Sequence, residues 1–92
     1  MGMDQQMISK GRCLGSWRKF YELNDWMMKE FGLGGWECTE VDEILTPEMV
    51  RRLEAEFLPL LEDYMQESFA ATLRNVKNAQ RKGYTVRYQA NW

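Results

Sequence analysis

The chain has 92 residues, 45% of them hydrophobic, 13% aromatic and 28% charged, with a formal net charge of −2. So short a chain is expected to form one small domain over 1–92, hiding about 60–65% of the surface its unfolded form exposes, and its composition excludes a disordered tail. No stretch approaches the roughly 18–20 apolar residues of a membrane span, and Met1-Gly2-Met3-Asp4-Gln5-Gln6 lacks the features of a secretory signal, so a cytoplasmic protein without a membrane partner is expected.

Residues 1–15 read as a loose N-terminal arm, because Gly11 and Gly15 interrupt the apolar Met7, Ile8 and Leu14. From Ser16, a good N-cap residue, the apolar stripe Phe20, Leu23, Met27, Phe31 is widened by Trp17, Tyr21 and Met28 and stopped by Gly32, which predicts an amphipathic helix over 16–31. Leu33-Gly34-Gly35 is a break. Trp36 to Val41 follows as a short extended segment, and Val41 to Leu45 as a single helical turn.

Thr46-Pro47-Glu48 combines an N-cap, proline at the first helical position and an early acid, the strongest helix start in the chain. The helical pattern continues to about residue 82, ahead of Gly83. A straight helix of that length would span roughly 54 Å, too long for so small a protein. Pro59 removes a backbone donor and crowds the carbonyl of Ala55, so a kink or break is expected near 57–59. The second half still needs a partner along its apolar face, either the 16–31 helix or a second copy of the chain, which makes a homo-oligomer one expectation. Strict alternation of Tyr84, Val86, Tyr88, Ala90 and Trp92 with polar residues predicts a strand over 84–91. Its partner would be the 36–41 segment, a second protomer or another protein. The expected fold class is therefore mainly α, with α+β as the alternative.

Candidate chemistry is sparse. The absence of histidine removes Ser/His/Asp and Cys/His arrangements and His-ligated metals. Cys13 and Cys38 are too few for a disulfide scaffold and too far apart for a zinc or redox pair. Gly32-Leu33-Gly34-Gly35 precedes no Lys-Ser/Thr, so it reads as a hinge and not a phosphate loop. Asp42/Glu43 and Glu62/Asp63 are adjacent in sequence, which on a helix points them about 100° apart, and no calcium-loop spacing occurs. No catalytic residue, metal or cofactor is expected.

Charge is segregated along the chain. Residues 1–35 carry +1, residues 36–67 carry −8 and residues 68–92 carry +5. At the basic end, Arg74, Lys77 and Arg81 share a helix face with Asn78, and Arg87, Tyr84, Tyr88 and Trp92 follow; cations with interleaved aromatic rings are what a nucleic-acid contact requires. The plainer account is that cations favour a helix C-terminus and that a strand's aromatic face is core. In the acidic part, Glu62, Asp63 and Glu67 form a negative face for a basic groove on another protein, or simply a wet helix face, or one half of a charge-steered self-association. The expected function is a small non-enzymatic interaction protein that binds and modulates, inhibition included, a larger protein or protein–nucleic acid assembly. The alternative is nucleic-acid binding through 74–92. The expected contact residues are Arg74, Lys77, Arg81, Arg87, Tyr88 and Trp92, with Trp36 on the turn and Glu62, Asp63 and Glu67 as the acidic face.

Overall fold

The computed structural model describes residues 2–34 and 39–92. Lys10 and Gly11 take φ values of 51° and 72°, the consecutive positive-φ pair of a two-residue hairpin turn. They join β1 (Asp4–Ser9) to β2 (Arg12–Arg18) in antiparallel register, Asp4 opposite Arg18 and Ser9 opposite Arg12. The segment expected as a loose arm is thus half of a sheet, and Gly11 marks a hairpin turn where the sequence suggested only a helix interruption.

After β2 come α1 (Tyr21–Phe31), β3 (Glu40–Leu45), α2 (Pro47–Arg52), α3 (Asp63–Arg81) and β4 (Val86–Asn91). The strands form one antiparallel sheet in the order β2-β1-β4-β3. Among the described residues 51% are helical and 29% are in strands, so the fold is α+β and the mainly helical expectation is overturned. The terminal strand is present, with Val86, Tyr88 and Ala90 facing inward. Its partners are β1 on one side and β3 on the other, with Val41 opposite Ala90 and Leu45 opposite Val86. Residues 41–45, expected as a helical turn, are therefore strand; of the proposed partner segment 36–41, residues 36–38 lie outside the described residues.

The first helix begins at Tyr21, not Ser16. Ser16, Trp17 and Arg18 belong to β2, and Lys19 at φ 57° turns the chain into α1. Gly32 does end the helix, at φ 69°, its N–H donating to the carbonyl of Lys29. Thr46 caps α2 through Oγ1, which accepts from the Met49 N–H at 3.2 Å. The chain then widens over Leu53–Phe57, tightens over Leu58–Leu60 and runs extended at Leu61 and Glu62 before α3. Pro59 does sit at a full break, and Gln66 Nε2 pins the far side by donating to the carbonyl of Leu61 at 2.9 Å.

Helices cover one face of the sheet. Met7, Tyr88, Val86 and Leu45 from the strands meet Leu23 and Met27 of α1, Val50 of α2 and Phe69, Leu73 and Val76 of α3. The rings of Trp17, Phe20, Phe57 and Phe69 form a cluster with centroids 5.6–6.2 Å apart. The sheet provides the apolar partner that the long C-terminal helix was expected to find in another helix or a second copy. Asp4, Gln6, Ser16, Arg18, Asp42, Arg87 and Gln89 lie on the opposite, uncovered face, laced by Gln6–Gln89, Arg87–Asp42 and Arg18–Asp4 contacts.

Candidate functional site

The seven residues expected at a partner contact do not form one surface. Tyr88 is fully buried in the centre of the sheet. Its hydroxyl donates to Asn24 Oδ1 at 2.8 Å and accepts from Gln5 Nε2 at 3.0 Å. Gln5 also donates to the carbonyl of Phe20 and accepts its N–H. Burial pushes the Tyr88 phenol up to about 12, because the charged form has no water to stabilise it. Tyr88 therefore organises the core and is unavailable to a partner. The signal was in the sequence: the inward face of an alternating strand is core.

Trp92 is half-buried against the core and its N–H donates to the carbonyl of Thr39 at 2.9 Å. Arg87 lies on the uncovered sheet face, where its Nε holds Asp42 at 2.7 Å, and this guanidinium keeps the Asp42 carboxyl below its usual value. Lys77 is paired with Glu54. Arg74 and Arg81 are exposed and in no ion pair among the described residues. Trp36 lies outside the described residues. Two of the five C-terminal cations thus bind carboxylates from the acidic middle, so charges far apart along the sequence meet in space.

Glu62, Asp63 and Glu67 are all exposed at the N-terminal end of α3, where the helix dipole favours carboxylates. The sequence did not suggest what lies beside them. Leu60 and Tyr64 are 80% and 81% exposed, although both are large apolar residues four apart in the helical pattern expected to run on to about residue 82. The extended residues Leu61 and Glu62 take Leu60 out of the register of α3. Tyr64 lies five residues before the buried Phe69, about 140° round the helix, and so faces away from the core. Both line an open groove of about 450 Å3 between the β2–α1 turn and the start of α3, with Trp17, Phe20, Leu61 and Met65 at its base.

The groove's charged lining is balanced, two carboxylates against two cations, with further carboxylates beside it on α3. Glu22 and Glu62 line it, Asp63 is next in sequence, and Glu67 is one turn from Tyr64 on the same helix face. Of the two cations there, Arg18 is held by Asp4 at 3.3 Å and Lys19 is in no ion pair among the described residues. Large exposed apolar side chains beside the carboxylates of the first turns of α3 offer an apolar anchor and negative charge on one surface. Among the described residues no cluster of histidine, cysteine, aspartate or glutamate could hold a metal, and no helix is long and apolar enough to cross a membrane. Comparison with protein-family models, with curated proteins and with solved structures finds no match for this chain.

Proposed function

We propose that this is a small non-enzymatic interaction protein that docks a basic segment of a larger protein, anchored by apolar side chains, in the groove around Leu60 and Tyr64. The observation that carries the reading is the exposure of these two side chains, 80% and 81%, in one groove. Burying each fully would contribute about 1.5–3 kcal/mol, the scale of an interface anchor residue. Glu22, Glu62, Asp63 and Glu67 would steer a cationic partner and set its orientation more than its final affinity. This retains the expected acidic face and transfers the anchoring role from Tyr88 and Trp92 to residues that water reaches.

A 14-residue amphipathic helix made of leucine and lysine is a defined probe of this chemistry. Titrated into the full chain and followed by tryptophan fluorescence, it should bind, while an all-lysine peptide and a leucine/glutamate peptide should not. Leu60→Ala with Tyr64→Ala should weaken binding at least tenfold with the melting temperature unchanged, since neither side chain is buried. Equal affinity for the double variant, or equal binding of the leucine/glutamate peptide, would refute the proposal.

A further inference from the structure

We infer that a second site, at the opposite end of α3, binds the phosphodiester backbone of a single-stranded nucleic acid. The tip of the β1–β2 hairpin and the last turns of α3 enclose a cleft of about 390 Å3, lined by Lys10, Arg12, Asn75, Asn78, Lys82 and Tyr84 among others. That volume lies within the roughly 300–1,000 Å3 of small-ligand sites. Among the described residues no carboxylate lines it, in a chain whose acids outnumber its bases by 14 to 12.

Arg18, Arg52, Lys77 and Arg87 each hold a carboxylate; the other eight cations are in no ion pair among the described residues, and what sets Lys10, Arg12 and Lys82 apart is that all three stand exposed round one cleft. Three like charges round one cleft repel one another, and an anion there relieves the repulsion. The amides of Asn75 and Asn78 add neutral donors for phosphate oxygens.

The cleft is also held in shape. The Lys10 ammonium sits 3.9 Å from the centroid of the Tyr84 ring, an attraction that restrains a long side chain. Tyr84 is fixed in turn by its N–H to the carbonyl of Ala79 at 3.0 Å, and the hairpin by Ser9 Oγ donating to the carbonyl of Thr85 at 2.8 Å. Tyr84 remains 39% exposed, enough to offer part of its ring to a base. On the other flank of α3 a groove of similar size is lined by Arg51, Lys77 and Arg81, again without a carboxylate among the described residues. A strand leaving the cleft over the end of the helix would stay among cations. The stacking ring and the confined cleft favour a single strand over a duplex.

Fluorescence anisotropy of a labelled 12-nucleotide oligothymidylate and of the matching oligouridylate, across a salt series, tests the site on the full chain. Three phosphate contacts predict a slope of about −2 for log affinity against log salt, since each single-strand contact contributes about −0.7. Lys10→Ala with Arg12→Ala should weaken binding more than tenfold and bring the slope to about −0.7, Lys82→Ala should flatten it by one contact, and Lys29→Ala, on α1 and lining neither basic groove, should change nothing. The Leu60→Ala/Tyr64→Ala protein should bind both strands normally, which separates this site from the groove. The inference is overturned by absence of binding at low salt, by a Lys10→Ala/Arg12→Ala protein that binds as tightly as the parent, or by millimolar inorganic phosphate displacing the strand at constant ionic strength. It is equally overturned if anionic vesicles bind and the strands do not.

Discussion

Gly15 lies on the inward face of β2, where α3 crosses the sheet, and its replacement by alanine is expected to reverse the usual sign of such a change. In an ordinary strand position, glycine to alanine stabilises by roughly 0.5–1 kcal/mol because the unfolded chain loses freedom. Here a Cβ would stand 2.5 Å from Thr72 Cγ2 and 2.9 Å from its Oγ1, about 1 Å inside normal carbon contact. Thr72 cannot easily turn away: it is buried, its β-branched side chain is stiff on a helix, and its hydroxyl donates to the carbonyl of Ser68. β2 and α3 must therefore separate, and overpacking of this kind costs about 1–3 kcal/mol. Taking about 2 kcal/mol, with 4–8 °C per kcal/mol for a domain of this size, Gly15→Ala should melt roughly 8–16 °C lower. Thr72→Ala deletes both obstructing atoms and costs less than about 1 kcal/mol alone, because the lost packing is offset by alanine's helix propensity. In a urea-denaturation cycle the double variant should be more stable than the two single changes predict, by 1 kcal/mol or more. Additivity within about 0.5 kcal/mol, or a Gly15→Ala protein as stable as the parent, would show that the hairpin is not seated on α3 as described.

Two further expectations concern the core and a cap. Tyr88→Phe leaves Asn24 Oδ1 buried without its donor and should cost about 1–3 kcal/mol. Because the folded phenol sits near 12 and the unfolded one near 10, the folded state keeps a proton that the unfolded state sheds. Stability should therefore fall above pH 10, by about 1.4 kcal/mol per pH unit up to pH 12, and Tyr88→Phe should lack that part of the slope when the two are unfolded side by side in alkaline urea. Thr46→Ala removes the acceptor for the Met49 N–H and should lower stability by about 1 kcal/mol in the same assay, with Thr46→Ser recovering most of it.

The parts of the fold that were legible in the sequence are those where one local signal met no competitor. β4 alternates cleanly, and Thr46-Pro47 opens a helix whatever surrounds it. β1 was illegible because its inward positions are Gln5, Met7 and Ser9; two of the three are polar, and their burial is possible only through the bonds to Phe20, Tyr88 and Thr85 supplied from distant segments. In β2 the register shift opposite Met7/Ile8 breaks the period of two, and Trp17 falls in phase with the helix that follows. β3 places Glu43 inward and Ile44 outward, against its own hydropathy. As for the site, the helical pattern expected after Pro59 assumed one continuous helix phase, which the two extended residues interrupt, and that interruption exposes Leu60 and Tyr64.

The charge pattern shows most plainly what the linear sequence conceals. Because β4 lies between β1 and β3, the basic end is laid against the acidic middle, and Arg87 and Lys77 are neutralised by Asp42 and Glu54. What remains is an acidic start and a basic finish to α3, about 27 Å apart by helical rise. The helix dipole explains part of this, since it favours acids in the first turn and cations in the last by about 0.3–1 kcal/mol each. It accounts for Asp63, Arg81 and Lys82. Lys10 and Arg12 reach the same end of the molecule from a hairpin some seventy residues away in sequence, where the helix's negative end and, for Lys10, the Tyr84 ring offset part of the repulsion among like charges. Neither belongs to α3, so replacing them leaves the helix's own last turn intact, which is why the oligonucleotide experiment turns on those two side chains and not on the arginines of α3.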